Sequence, residues 1–473
     1  MRKTKIICTQ GPAVDSDEMA RKLILAGMDC ARFNFSHGTH AEHKVRIDRI
    51  KRLRKELGVC TATMLDTKGP EIRVRNFKDG ATVLTEGQEF TLDTDDSLGD
   101  NTRIGLTYHH LAEHVKPGTV ILMDDGKLGL EVLSADAAKA SVLCKVTTGG
   151  KLSNHKSINL PGNPIPMPYI SEADKSDILF GIEQEVDFIA ASFVRSAQDV
   201  HDVRKLLKEN GGESIQIISK IENSQGVDNL DEIIEASDGI MVARGDLGVE
   251  IPFREIPALQ KLMIEKCIYS GKIVVTATQM LESMTHSPRP TRAEVSDVAN
   301  AVYDGTTAIM LSGESAAGKF PAEAVRTMAE IAEYTESSID YRTEFVRDSY
   351  TLGKNMVDTA CVAACDAAKY IDAKAIVSVT RSGRTAAFLS DFKPNCPIIA
   401  LCSTDRGVHQ LNLRWGVTPI PSKHHDSYEA LYNAAVSAAL ESGIVQKGDT
   451  VVVVTGSRVG EGSVSDTIRI ATL

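Results

Sequence analysis

Gln216-Ile217-Ile218-Ser219-Lys220-Ile221-Glu222-Asn223 is the stretch from which the fold of this chain can be read. An Ile-rich run, apolar enough for a buried strand, ends in a lysine and a glutamate two positions apart. Side chains two apart on a strand share a face, so Lys220 and Glu222 leave it together. A second such run, Gly239-Ile240-Met241-Val242-Ala243, ends in Arg244-Gly245-Asp246. Strands buried on both faces read as near-continuous apolar runs and belong to parallel sheets. A cation beside a carboxylate, with another carboxylate on the next strand, suits a divalent metal and a phosphate held together. The pattern points to phosphoryl chemistry.

Outward from there, similar runs recur at Thr4–Thr9, Cys30–Phe35, Thr61–Asp66, Asp187–Ser192, Lys272–Thr278 and Ala308–Ser312. Amphipathic helical stretches separate most of them: Asp17–Ala26, His40–Leu57, Ala197–Glu209, Ile256–Tyr269 and Ala322–Ser338. Eight strand–helix units predict an α/β fold of the TIM (β/α)8 barrel type, with a doubly wound open sheet as the alternative. The barrel is favoured by the count and by where the polar residues fall. Thr9, Arg32, Asn34, Ser36, Asp66, Thr67, Ser192, Lys220, Glu222, Asp246, Thr278 and Ser312 all lie at or just beyond the C-terminal ends of runs, the rim on which barrels of this kind build active sites.

From about Glu71 to Met167 the rhythm changes to short strands with Gly and Asp turns: Glu71–Val74, Thr82–Leu84, Glu89–Leu92, Val120–Met123, Gly129–Leu133 and Ala140–Val146. Asp124-Asp125-Gly126 and Gly149-Gly150 are turn signals. The segment reads as an all-β domain inserted after the third barrel strand. It leaves through the Pro-rich Asn159–Pro168 and is placed to act as a lid. A further α/β unit runs from Met356–Tyr370 through strands at Ala375–Val379, Pro397–Leu401, Gly416–Ile420, Thr450–Val454 and Thr467–Ala471. The expected division is barrel 1–70 and 168–343, lid domain 71–167 and C-terminal domain 344–473.

The 473 residues, 42% hydrophobic and 25% charged, fit a soluble globular protein of several domains. A net charge of −11 argues against a general binder of nucleic acid or anionic membrane. No apolar run reaches transmembrane length, and the N-terminus enters a strand without a signal-peptide core. Nine scattered cysteines show no metal-finger spacing. Cys361 and Cys365, four apart on a helix, read as core packing. Reduced thiols and a cytoplasmic location are expected.

Glu222 and Asp246 suit Mg²⁺, a hard cation that takes one or two carboxylates plus substrate oxygens; the bland reading is two solvated strand-end acids. Gly245 lets the backbone approach a ligand, and exposed amides there suit a carboxylate. Arg32, on an apolar strand, calls for a phosphate or carboxylate partner. Asn34 and Ser36 share its face and, with Asp66 and Thr67, offer oxygens suited to a monovalent cation. In the C-terminal unit, Thr380-Arg381-Ser382-Gly383-Arg384-Thr385 lies between a strand and a helix N-terminus, the setting of a phosphate cradle or of a simple N-cap with basic neighbours. Trp415, the lone tryptophan, reads as packing.

Over essentially its whole length the chain resembles pyruvate kinases. The segments that carry the resemblance are Lys5–Pro12, Asn34–Gly38, Asp66–Arg73, Ile218–Asn223, Met241–Ile251, Thr276–Leu281, Pro288–Glu294 and Met310–Glu314. The resemblance implies a barrel with a mobile lid, and phosphate transfer from phosphoenolpyruvate to ADP, giving pyruvate and ATP. It implies that Lys220 stabilises the transferring phosphoryl group and the enolate, and that Glu222 and Asp246 hold Mg²⁺ (or Mn²⁺). Ala243, Gly245, Asp246 and Thr278 would seat the substrate carboxylate. Arg32 and Arg73 would contact phosphates, with Asn34, His37 and Lys156 at the nucleotide. Asn34, Ser36, Asp66 and Thr67 would bind K⁺, and Thr278 and Ser312 would pass a proton to the enolate through water. Glu71 stands where family members that need K⁺ carry Glu and those that do not carry Lys, so K⁺ activation is expected.

Thr380–Thr385 matches the effector loop of allosteric members, implying a sugar-phosphate effector. Glu461 in Gly456–Gly462 puts a carboxylate where a second phosphate would sit, which leaves fructose 1,6-bisphosphate open. Gln10 and Phe33 depart from the usual Ile and Leu as packing changes. The chain stops at Leu473, so the extra C-terminal phosphohistidine-type domain of some bacterial members is not expected; the resemblance to the family implies a homotetramer. Two rivals remain at this point. One is a barrel lyase of the phosphoenolpyruvate and pyruvate aldolase type, which also sets metal-binding acids at strand ends. The other is a non-catalytic metabolite sensor working through the C-terminal loop.

Overall fold

The computed structural model describes residues 1–163, 165–343, 345, 355–423, 425, 427–457 and 464–473. Its centre is a closed barrel of eight parallel strands: β1 (Lys5–Thr9), β2 (Cys30–Asn34), β3 (Ala62–Asp66), β4 (Phe188–Ala191), β5 (Gln216–Ile221), β6 (Gly239–Ala243), β7 (Ile273–Ala277) and β8 (Ala308–Leu311). Each strand pairs with its sequence neighbours and β1 closes on β8. The open-sheet alternative is thereby excluded.

Alternation along the strands sorts the core into two layers. Ile6, Cys8, Phe33, Leu65, Ile217 and Ile221 pack outward against the ring of helices. Ile7, Cys30, Met64, Phe188, Ile218, Met241, Val275 and Met310 fill the interior. Leu413 of the C-terminal unit joins that interior cluster. The same parity fixes the rim. If Cys30, Met64, Ala190 and Ile218 point inward, then Arg32, Asp66, Ser192 and Lys220 point inward one step nearer the C-terminal end. Register staggers them: Asp66 lies opposite Asn34 and Ala190, Arg32 opposite Met64 one inward step below, and Ser192 and Lys220 one inward step above.

Between β3 and β4 the chain forms a seven-stranded sheet and a two-stranded ribbon, Ala81–Leu84 with Gly150–Ser153. Three strands there escape the sequence reading: Arg103–Gly105, Gly150–Ser153 and Ser157–Asn159. They are short and polar and show no alternation. The expected strand Glu71–Val74 shrinks to Ile72–Arg73 with an isolated bridge at Val74, and the segment also holds a short helix, Leu111–His114. The C-terminal unit is a five-stranded sheet, four strands parallel and the last, Thr467–Thr472, antiparallel.

The C-terminal unit is tied beneath the barrel. Gln410 Nε2 donates to the carbonyls of Asp187 (3.1 Å) and Ser214 (2.8 Å), and Lys5 Nζ to the carbonyl of Val417 (2.8 Å). Trp415 is buried at this junction, with Lys3 and Lys393 ammonium groups over its ring at 5.1 and 4.4 Å, in keeping with a packing residue. All nine cysteines are unpaired, Cys361 buried and Cys365 half-buried. Among the described residues no helix is long and apolar enough to cross a membrane.

Candidate active site

At the C-terminal rim a cleft of about 410 Å³ opens between the barrel and the inserted β segment. The barrel contributes Arg32, Asn34, Ser36, His37, Lys220, Glu222 and Asp246; the insert contributes Arg73, Asp124, Lys156 and Asn159. Asn159 Nδ2 reaches Glu250 Oε1 at 3.1 Å and joins the two sides.

Lys220 sits at its centre, buried, with Nζ 3.0 Å from Asp66 Oδ1, 3.0 Å from Glu222 Oε1 and 2.8 Å from Ser192 Oγ. Burial alone works against the ammonium, but Asp66 and Glu222 outweigh it and raise its pKa. The Glu222 pKa is raised as well, in its case against the charged form. Burial first, with Asp246 and Asp66 adding and Lys220 opposing, lifts it to about 8. Its second oxygen accepts from the Phe193 amide at 2.7 Å. Excess negative charge therefore gathers on the Glu222–Asp246 side of the cleft. Two hard carboxylates with that excess fit a divalent cation.

Arg32 finds the carboxylate partner its strand demanded. Nε donates to Asp66 Oδ2 at 2.6 Å, and Nη1 to Thr9 Oγ1 at 2.8 Å. Lys220 and Arg32 together depress the Asp66 pKa against burial. Asp66 and Thr67 lie behind the cleft wall and not in its lining; Thr67 Oγ1 accepts from the Ser192 amide at 3.1 Å. Asn34 and Ser36 do line the wall, with the Ser36 amide 3.1 Å from Asn34 Oδ1. His37 sits at the same edge. Burial, then Arg73 and Arg32, hold its pKa below the usual imidazole range.

Ala243, Gly245 and Asp246 open the short helix Arg244–Glu250. The Gly245 amide, expected to be free for a ligand, donates to Thr278 Oγ1 at 2.7 Å. Thr278 and Gln279 both take left-handed backbone, φ 69° and 54°, an uncommon state for a β-branched residue. Arg244 braces that bend, donating to the carbonyls of Ala277 (3.3 Å) and Thr278 (2.7 Å) while pairing with Asp297 at 2.6 Å. Ser312 lies just beyond β8, outside the cleft lining; its amide donates to Glu314 Oε2 at 2.8 Å.

From the insert, Arg73 pairs with Glu71 (2.9 and 2.6 Å) and reaches the His155 carbonyl (2.8 Å). Burial raises the Glu71 pKa, against the pull of Arg73. Lys156 pairs with Asp124 at 2.7 Å. The exit of the insert is pinned by Arg195, which donates to the carbonyls of Ile165 (3.3 Å) and Met167 (3.0 Å).

The C-terminal loop forms a tight turn before the helix Arg384–Asp391. Gly383, at φ 89°, donates its amide to Thr380 Oγ1 at 3.2 Å. The Arg381 carbonyl accepts from Thr404 Oγ1 at 3.2 Å, and Thr385 Oγ1 lies 2.6 Å from Ser465 Oγ. Ser382 and Arg384 complete the turn; the Arg384 guanidinium lies 5.4 Å from the Phe388 ring centre. Glu461, between Gly456 and Gly462, falls outside the described residues.

Three residues of the site escaped the sequence reading in function. Ser192 was visible as a strand-end hydroxyl, and strand parity alone would have aimed it at Lys220. Arg244 shows in the sequence only as the residue that follows an apolar run. Asp297 comes from the helix Arg292–Tyr303 and carries no local signal.

Two family models match the chain, that of the pyruvate kinase barrel domain over residues 1–325 and that of the pyruvate kinase alpha/beta domain over residues 358–471. A pyruvate kinase of Sporosarcina psychrophila is 48% identical over 470 residues, which cover 99% of this chain and 80% of that protein. One of Clostridium acetobutylicum is 48% identical over 457 residues, 96% of both. One of Staphylococcus aureus is 47% identical over 470 residues, again 99% and 80%.

Proposed function

Since the chain belongs to the pyruvate kinase family, glycolytic enzymes that move the phosphoryl group of phosphoenolpyruvate to ADP, we propose that its transfer centre is built on Lys220, Glu222 and Asp246. The observation that carries this reading is the presence of one lysine and two acids in a single cleft, with Lys220 Nζ 3.0 Å from Glu222 Oε1. Phosphoryl transfer asks the protein mainly for positioning and charge neutralisation. Lys220 neutralises charge on the migrating group and on the enolate oxygen left behind. Arg32 and Arg73 orient phosphate oxygens, and Asn34, His37 and Lys156 receive the nucleotide. Arg73 and Lys156 leave Glu71 and Asp124 when anionic substrates arrive. Backbone groups of Ala243, Gly245 and Asp246, with Thr278, seat the substrate carboxylate, which takes the Gly245 amide over from the Thr278 hydroxyl. Thr278 and Ser312 return a proton to the enolate through water.

Glu222 and Asp246 are the residues that fit Mg²⁺ (or Mn²⁺), which when bound supplies positive charge to the phosphoryl oxygens. Asn34, Ser36, Asp66 and Thr67 are the oxygen set for K⁺, and Glu71 is the reason to expect its need. Residues 71–167 form a lid domain on a barrel of residues 1–70 and 168–343. Residues 344–473 form an allosteric domain in which Thr380, Arg381, Ser382, Gly383, Arg384 and Thr385 take a sugar phosphate. Membership of the family supports a cytoplasmic homotetramer.

A coupled assay tests the whole reading. Purified protein with phosphoenolpyruvate, ADP, Mg²⁺ and K⁺ is expected to form ATP and pyruvate in equal amounts. Pyruvate formed without ATP would favour the barrel-lyase class instead, and no turnover would favour a sensor.

A further inference from the structure

We propose that His43 is a positioning residue for the nucleotide end of the cleft, holding the carbonyl of His37 so that the His37 side chain stays in the cleft wall. The inference rests on the reading of His37 as a nucleotide contact. His43 lies in the first turn of the helix His40–Leu57 and is 2% exposed. Its Nε2 is 2.8 Å from the His37 carbonyl oxygen. A carbonyl only accepts, so Nε2 carries the proton and Nδ1 is left as a lone pair. That Nδ1 is buried and has no hydrogen-bond partner among the described residues. Burial also holds the ring below the usual imidazole pKa, consistent with a neutral ring in one tautomer.

Aromatic packing fixes the ring plane. Phe35 stacks on it at 4.1 Å and 14°, and Phe33 meets it edge-on at 6.5 Å and 85°. The turn from Ser36 to Gly38 is laid directly against the imidazole. Gly38 has φ 82°, and a Cβ there would stand 3.3 Å from His43 Nε2. An apolar ring would stack on Phe35 equally well and leave no unpaired buried acceptor, which is a cost. What the imidazole adds is one donor, and that donor goes to the residue before Gly38. His37 itself lines the cleft and feels Arg73 and Arg32, cations suited to a polyphosphate. The turn therefore delivers a neutral ring to an anion-binding corner, and His43 sets its height.

The test uses the full-length enzyme and the variants His43→Phe, His43→Gln, His43→Asn and His37→Ala. His43→Phe keeps the stack and removes the donor. His43→Gln places an amide N–H near the lost Nε2–H, whereas His43→Asn is too short to do so. Loss of one buried hydrogen bond is expected to raise the KM for ADP about fivefold in His43→Phe and His43→Asn, with the KM for phosphoenolpyruvate unchanged and His43→Gln close to the parent. Should His43→Phe fail to fold, the Gln and Asn pair carries the same comparison. An equal rise in both KM values would reduce His43 to general scaffolding and overturn the inference. So would an unchanged ADP KM in His43→Asn while His37→Ala raises it, which leaves the His37 reading standing. If His37→Ala also leaves the ADP KM unchanged, the nucleotide reading of His37 falls and takes the inference with it.

Discussion

Lys220 Nζ, near the end of β5, and Glu222 Oε1, from the residue directly after its last, meet at 3.0 Å with a single residue between them in the chain. Strand parity puts them on one face, and burial brings their charges together without intervening solvent. Each depends on the other. Glu222 helps keep Lys220 protonated, and Lys220 tempers the upward push that burial gives Glu222. In the proposed transfer centre, an ammonium so held would meet an incoming phosphoryl group with little reorganisation.

Glu71 makes the monovalent cation testable. Its carboxylate faces Arg73 at 2.6 Å and is largely buried. Steady-state rates in K⁺ are expected to exceed those in Na⁺-only buffer severalfold. Glu71→Lys should flatten the difference, because a lysine ammonium supplies the missing charge. Equal rates in the parent enzyme would remove K⁺ from the account.

The brace on Thr278 has its own signature. Arg244 spans two carbonyls and Asp297, a fork geometry that lysine cannot copy. Arg244→Lys should raise the KM for phosphoenolpyruvate about tenfold, equivalent to ~1.4 kcal/mol, and leave the KM for ADP alone. Equal changes in both would mean that the brace serves the fold in general.

The barrel's junction with the C-terminal unit predicts a pH effect on stability. Lys393 is buried, and its Nζ has no hydrogen-bond partner among the described residues. Burial, against the pull of Glu336 and Asp391, lowers its pKa to about 7. A lysine depressed in the folded state binds fewer protons there than when unfolded. Stability from this group is therefore lowest below pH 7 and rises with pH from about 7 toward the unfolded value of 10.5. Lys393→Met should raise stability at pH 6.5 by roughly 1–3 kcal/mol, and the gain should shrink at pH 9. Thermal midpoints of both proteins across that range check it; a constant difference would contradict it.

The frame was legible in the sequence because the barrel writes itself as apolar runs with polar ends. Lys220, Glu222 and Arg32 could be placed from parity alone. What was hidden depends on tertiary pairing. Ser157–Asn159 is a strand only because Ile72–Arg73 and Val120–Met123 flank it. Asp297 reaches Arg244 from a helix 53 residues away. The Gly245 amide looked free because no local pattern announces the Thr278 hydroxyl that takes it.

The effector role proposed for Thr380–Thr385 can be separated from catalysis. A panel of phosphorylated metabolites at subsaturating phosphoenolpyruvate should contain a sugar phosphate that activates the parent enzyme and fails to activate Arg384→Ala, while unstimulated turnover is the same in both. Activation that survives the substitution would place the effector elsewhere.

Lys220→Met, assayed for ATP formation beside Mn²⁺ binding by the same protein, asks most directly whether one buried ammonium drives the transfer. Turnover is expected to fall by about two to three orders of magnitude or more, with Mn²⁺ still bound through Glu222 and Asp246. Turnover close to that of the parent enzyme would contradict the account.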